Sequence, residues 1–124
     1  MIERLSKNEQ LIMEYFWKNN YLFSEDISRM LAEKEWKPTT ILTFLSRLVS
    51  KGMLRIEKKG KTNIYHTVIS KDEYQLSESR KFIDSLFEGS TKDFISAMID
   101  SKDLSKEDLQ ELRKWLDSKE EKND

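Results

Sequence analysis

Five residues with short hydroxyl or cationic side chains, Thr39, Thr43, Ser46, Arg47 and Ser50, recur at steps of three and four within WKPTTILTFLSRLVSKGMLRIEKKGK, residues 36 to 61. That spacing sets them on one face of an α-helix, with Thr40 and Lys51 at its margins. The chemistry open to such a face is recognition. Small hydroxyl side chains let a helix backbone approach a DNA groove, bond base edges and phosphates, and leave room for an arginine to grip guanine bidentately. Charge fits the same reading. From Lys37 to Lys61 seven basic residues (Lys37, Arg47, Lys51, Arg55, Lys58, Lys59, Lys61) face one acid, Glu57, a local net charge of +6 in a chain whose total is −1. A basic excess of this kind is the electrostatic footprint of a nucleic-acid contact. Two alternatives stay open at this point: a polar face that is only solvated, and a face that meets another protein with the basic turn incidental.

Catalytic and metal chemistry find little footing. Cysteine is absent, His66 is the single histidine, and glycine occurs only at 52, 60 and 89. Disulfides, thiolate metal sites and phosphate-cradling loops are therefore not expected. His66, in an expected strand with no second ligand in the sequence pattern, reads as structural or surface. The acidic pairs Glu107 and Asp108, and Glu120 and Glu121, read as helix-end and surface charges. No catalytic residue, metal or cofactor is expected. The N-terminal ten residues hold no apolar signal core, and no apolar run approaches the length of a bilayer span, which places the chain in the cytoplasm with no membrane insertion.

The recognition face needs a scaffold. Ile41, Phe44, Leu45, Leu48 and Val49 form the opposite, apolar stripe of the same helix, Pro38 suits its first turn and Gly52 the position past its end. After Gly52 the period changes to two: Leu54 and Ile56 alternate with Arg55 and Glu57. Lys58-Lys59-Gly60-Lys61 makes a basic turn, and Ile64, Tyr65, Val68 and Ile69 supply a second strand. Upstream, Ser6 and Glu9 match a capping box that starts a helix with Leu11, Ile12, Tyr15 and Phe16 inward, ended by Asn19 and Asn20. Tyr21 to Phe23 reads as a brief strand. Ser24 is expected to cap a second helix running to about Lys34, with Ile27, Met30 and Leu31 inward, and Trp36 to anchor the turn that follows. Helix, helix, turn, helix and hairpin over residues 1 to 69 describe a winged helix-turn-helix, with the helix in the major groove and the basic tip near phosphates.

Residues 70 to 124 have another character. Ser70 and Glu73 form a second capping box, with Ile69 and Tyr74 as a hydrophobic staple. The helix they open carries Leu76, Phe82, Ile83, Leu86 and Phe87 and stops near Gly89. Ser90 with Asp93 caps a shorter helix holding Phe94, Ile95, Met98 and Ile99. Ser105 with Asp108, and the staple Leu104 and Leu109, start a last helix along Leu112, Trp115 and Leu116, and the tail of residues 118–124 is expected to fray. Three short helices bury too little surface alone, so pairing with a second copy is the economical expectation. Its interface would use Phe82, Ile83, Leu86, Phe94, Met98, Leu109, Leu112, Trp115 and Leu116. Charge separates the halves. The first 69 residues hold 12 basic and 8 acidic side chains, and the remainder 10 basic and 15 acidic. The expected fold is thus mainly α with a small β-hairpin, a winged helix followed by a three-helix dimerisation region.

The run Trp36-Lys37-Pro38-Thr39-Thr40-Ile41-Leu42-Thr43, then Arg47-Leu48 and Lys51-Gly52, resembles the penicillinase-repressor family of winged-helix regulators (BlaI/MecI/CopY type), whose pattern is W-x-P-x-T-[IV]-x-T-x-x-x-R-L-x-x-K-G. Further likeness lies in Leu5 to Trp17, at Tyr65, in Ser79 to Ile83, and in Asp103 to Ser105 followed by Glu111 to Arg113. The resemblance implies a homodimeric transcriptional repressor on an inverted-repeat operator, controlling β-lactam resistance or related stress genes. Its DNA-binding residues would be Lys37, Thr39, Thr40, Leu42, Thr43, Ser46, Arg47, Ser50, Lys51, Lys58, Lys59 and Lys61. Two departures stand out. The Asn–Phe bond at which a membrane sensor-protease system relieves the β-lactam branch aligns with Ala97-Met98, and the cysteine cluster of the copper branch has no counterpart. Leu42 also takes a position where some relatives carry Arg; exposed, it would meet a thymine methyl, and otherwise it would pack on the neighbouring helix.

Overall fold

The structure, a computed structural model, describes residues 2–123, with side chains described as far as residue 120. It divides into two compact units, Met1–Glu78 and Ser79–Asp124.

The first unit begins with α1 (Lys7–Asn19). Its capping box is complete: the Ser6 hydroxyl accepts from the Glu9 N–H at 3.2 Å, and the Glu9 carboxylate accepts from the Ser6 N–H at 2.7 Å. Ile12, Met13 and Phe16 on its inner stripe are fully buried. Asn20, at φ 57°, ends α1 and turns the chain into β1 (Tyr21–Phe23). Next come α2 (Ser24–Met30), a single 3-10 turn at Ala32–Lys34, α3 (Pro38–Ser50), and the hairpin β2 (Leu54–Lys59) and β3 (Thr62–Thr67). The three strands form one antiparallel sheet in the order β1-β3-β2, with Tyr65 between Leu22 and Ile56. Leu22 and Tyr65 join Ile12, Phe16, Ile27, Leu31, Leu45 and Leu48 in a single core.

Local details depart from the sequence expectation in several places, among them Met30, expected inward with Ile27 and Leu31 but 37% exposed. The Ser24 hydroxyl donates to the Asn63 carbonyl at 3.2 Å, and the helix start is held instead by Asp26, whose carboxylate accepts from the Phe23 N–H at 3.1 Å. The helix does not run unbroken to Lys34. Leu31 is buried, its backbone turns to φ −97° and ψ 9°, and the chain tightens into the 3-10 turn before Glu35 adopts a left-handed φ of 56°. The second strand of the hairpin stops at Thr67, and Val68 lies exposed beyond it, its N–H donating to the Met53 carbonyl at 2.9 Å.

The helix α4 (Lys71–Leu86) opens with the expected box, Ser70 and Glu73 exchanging hydrogen bonds of 3.1 Å each. Its first two turns belong with the first unit. Tyr74 is buried, its hydroxyl accepts from the Leu5 N–H at 3.0 Å, and its ring lies 5.8 Å from that of Trp17. The compact unit therefore extends to Glu78, whereas the composition change falls at residue 69. In the second unit the end of α4 is followed by α5 (Thr91–Asp100), capped by Ser90, and α6 (Lys106–Asn123), opened by the reciprocal Ser105 and Asp108 bonds of 3.0 and 3.2 Å. Phe82, Phe87 and Phe94 cluster with centroids 5.5 to 6.2 Å apart. The tail expected to fray is helical through Asn123, because α6 keeps its backbone ladder to that point, and Asp124 lies outside the described residues.

Candidate nucleic-acid interface

The core fixes which way α3 faces. Ile41, Leu45 and Leu48 are buried, and Phe44 and Val49 pack against the same core, so the helix cannot rotate without exposing them. Thr39, Leu42, Thr43, Ser46, Arg47 and Ser50 are left on the outside, with Thr40 half-buried at the margin and Lys37 exposed at the N-cap. No acid lies in the first turn, so the positive end of the helix dipole meets no carboxylate there. The Thr43 hydroxyl donates to the Thr39 carbonyl at 2.9 Å. Arg47 is oriented by a short ladder of rings: its guanidinium sits 5.8 Å from the Phe44 centroid, and Phe44 in turn lies 5.3 Å from Trp36. The ladder lowers the number of conformers Arg47 must surrender on binding.

The wing follows from one glycine. Lys59 pairs with Thr62, leaving Gly60 and Lys61 as a two-residue turn, and Gly60 takes φ +66°, the sign that the tight hairpin turns require at their first central residue. Lys58, Lys59 and Lys61 are all exposed around that tip. The acid nearest to them is occupied: the Glu57 carboxylate lies 3.0 Å from His66 Nε2. That hydrogen bond, helped by Arg55 and Lys59, holds the Glu57 carboxyl below its ordinary range. His66 thus has a structural partner on the neighbouring strand.

Lys51 is set apart from the other candidates. Its ammonium lies 2.6 Å from Glu9 Oε1 and donates to the Arg4 carbonyl at 3.2 Å, so it is turned toward the start of α1. Burial pushes the Glu9 carboxyl up, but the bonds from Lys51 and from the Ser6 N–H and hydroxyl outweigh it and hold the group below its ordinary value. Sequence reasoning recognised Glu9 only as a capping residue. Its second role ties α1 to the C-terminal end of α3 across 42 positions, a separation for which local pattern carries no signal.

In the second unit Leu86 is 65% and Trp115 55% exposed, and Phe82, Met98 and Leu116 are also exposed. Ile83, Phe94, Leu109 and Leu112 are half-buried. These apolar side chains are thus left wholly or partly open to solvent. Among the described residues no group of three His, Cys, Asp or Glu side chains is placed to hold a metal ion, and no helix is long and apolar enough to cross a membrane.

Comparison with known proteins agrees with this geometry. The family model described as "Penicillinase repressor" matches residues 5–118. The chain is 27% identical over 116 residues to the methicillin resistance regulatory protein MecI of Staphylococcus aureus strain N315, covering 93% of this chain and 94% of that protein. It is 28% identical over 117 residues to the penicillinase repressor of Bacillus licheniformis, covering 94% and 91% respectively. Among solved structures it is similar to the DNA-binding domain of the repressor BlaI, at 31% identity and a TM-score of 0.55 over 60% of this chain and 92% of that one. The Bacillus licheniformis BlaI monomeric form in complex with the blaP half-operator is similar at 31% identity and a TM-score of 0.52, with the same coverage.

Proposed function

This chain belongs to the penicillinase repressor family, and from that premise we propose that it is a homodimeric transcriptional repressor, not an enzyme, acting on double-stranded operator DNA in the cytoplasm. The observation that carries the proposal is the pairing, within residues 36–61, of an acid-free helix face bearing hydroxyls and one pre-oriented arginine with a tip of three exposed lysines. Thr39, Leu42, Thr43, Ser46, Arg47 and Ser50 enter the major groove, with Lys37 and Thr40 at the helix start. Lys58, Lys59 and Lys61 neutralise phosphates, a contribution that is strong, sequence-independent and salt-sensitive. Lys51, at the margin of this face, supports the helix end through Glu9. Family membership favours this reading over the protein-contact alternative.

A single winged helix offers few specific contacts, and coupling two of them multiplies affinity through effective concentration. The open apolar faces of α4, α5 and α6, around Phe82, Ile83, Leu86, Phe94, Met98, Leu109, Leu112, Trp115 and Leu116, supply the pairing surface. Two-fold symmetry in the protein then calls for a near-palindromic operator with half-sites about one helical turn or a small multiple apart. The names of the relatives make β-lactam resistance or a related stress response the class of gene controlled. A membrane sensor-protease partner working as in the β-lactam branch would have to cut a bond other than Asn–Phe, because Ala97-Met98 stand at that place within α5. Footprinting on DNA upstream of the chain's own gene tests the proposal: two protected half-sites in inverted orientation are expected, and uniform or absent protection would remove that site as an operator.

A further inference from the structure

We infer that Leu42 is a specificity residue that reads the 5-methyl group of a thymine in each half-site, a role that rests on the operator-binding reading above. Leu42 is 51% exposed, while Ile41, Leu45 and Leu48, on either side of it in sequence, are buried. It is therefore not buried against the neighbouring helix, the alternative that the sequence leaves open. On its own face it lies one turn from Thr39 and one turn from Ser46, both exposed and both hydroxyl-bearing. It is the one large apolar side chain on a surface that is otherwise built of hydroxyls and Arg47.

The chemistry of the groove determines what such a side chain meets. Base edges in the major groove present donors and acceptors, and the exception is the thymine methyl, which separates thymine from cytosine. Ser and Thr hydroxyls bond to either kind of edge and so discriminate weakly. Thr43 is weaker still as a donor, because its proton is committed to the Thr39 carbonyl at 2.9 Å. Discrimination on α3 thus falls to two side chains, Arg47 for guanine and Leu42 for thymine. Arg47 lies five positions after Leu42, about 140° around the helix axis at 3.6 residues per turn, so they flank the hydroxyl face from its two margins and address different base pairs.

The test begins with selection of bound sequences from randomised duplex DNA by the full chain. Each thymine in the selected site is then replaced singly by deoxyuridine, which keeps the pairing with adenine and removes only the methyl. Anisotropy titrations compare the wild-type chain with Leu42→Ala, whose exposed position predicts an unchanged circular dichroism spectrum and melting curve. One position per half-site should weaken wild-type binding about fourfold, the loss for one buried methyl, and leave Leu42→Ala unaffected. Equal sensitivity of both proteins at every thymine, or sensitivity of neither, overturns the role of Leu42 while the selected sequence leaves operator binding intact. Failure of the selection to enrich any sequence would instead reject operator binding, and the role of Leu42 with it.

Discussion

Removing the Lys51 ammonium gives the sharpest stability prediction. The substitution Lys51→Met keeps most of the side-chain length and its apolar stem, but strands the carboxylate of Glu9, whose side chain is 2% exposed. Breaking a fully buried ion pair by deleting one partner costs 3 to 5 kcal/mol; because the Lys51 side chain is 22% exposed, water recovers part of the loss, and we expect about 3 kcal/mol. The pH dependence has a definite sign. In the wild type the Glu9 pKa is lowered, so its contribution is present at neutral pH and is lost as pH falls through that lowered folded value. In the variant only burial and the Ser6 bonds remain. Without the Lys51 bond the carboxyl protonates at a higher pH than in the wild type, which relieves the stranded charge. The deficit should therefore be widest near neutrality and should shrink as pH falls, first through the variant's carboxyl pKa and then down to the lowered wild-type value. Urea unfolding followed by tryptophan fluorescence at a series of pH values measures it directly. A deficit below about 0.5 kcal/mol at neutral pH, the range of ordinary surface substitutions, or a larger deficit that does not change with pH, would refute the reasoning.

Other substitutions separate the proposed roles. Arg47→Ala should cost about 1 to 3 kcal/mol on the preferred sequence and relax discrimination at one base pair; an equal loss on every sequence would make it a phosphate contact instead. Lys59→Ala should weaken all duplexes alike and reduce the magnitude of the salt slope by about 0.9 per contact removed, and unchanged affinity would take the wing off the DNA. Leu86→Asp buries a charge in the proposed interface, so sedimentation should show monomers that have lost most operator affinity, and an unchanged dimer would place the interface elsewhere.

What could be read from the sequence was local. The boxes at Ser6 and Glu9 and at Ser70 and Glu73 are three residues apart, and the structure closes both. The stripe of Ile41, Leu45 and Leu48 was equally legible, because helical period and burial agree along α3. Legibility failed where a distant partner decided the outcome. Ser24 looked like a cap, yet its hydroxyl is drawn to Asn63 on the hairpin, 39 residues away, and Asp26 takes its place. Tyr74 follows a change in composition at residue 69 but belongs with Leu5 and Trp17, so the compact unit outruns that change. Lys51 shows the same limit within the candidate site. Its spacing put it at the margin of the recognition face, and only the fold brings Glu9 within 2.6 Å of its ammonium.

Fluorescence anisotropy with labelled DNA from upstream of the chain's own gene, against a scrambled duplex and at two salt concentrations, tests the central claim most directly. A dimeric operator-binding repressor predicts tight binding to the native duplex alone, saturation at two chains per site, and affinity falling steeply with salt, with a slope of about −0.9 per phosphate contact. Equal and weak binding to both duplexes, or saturation at one chain per site, would contradict it.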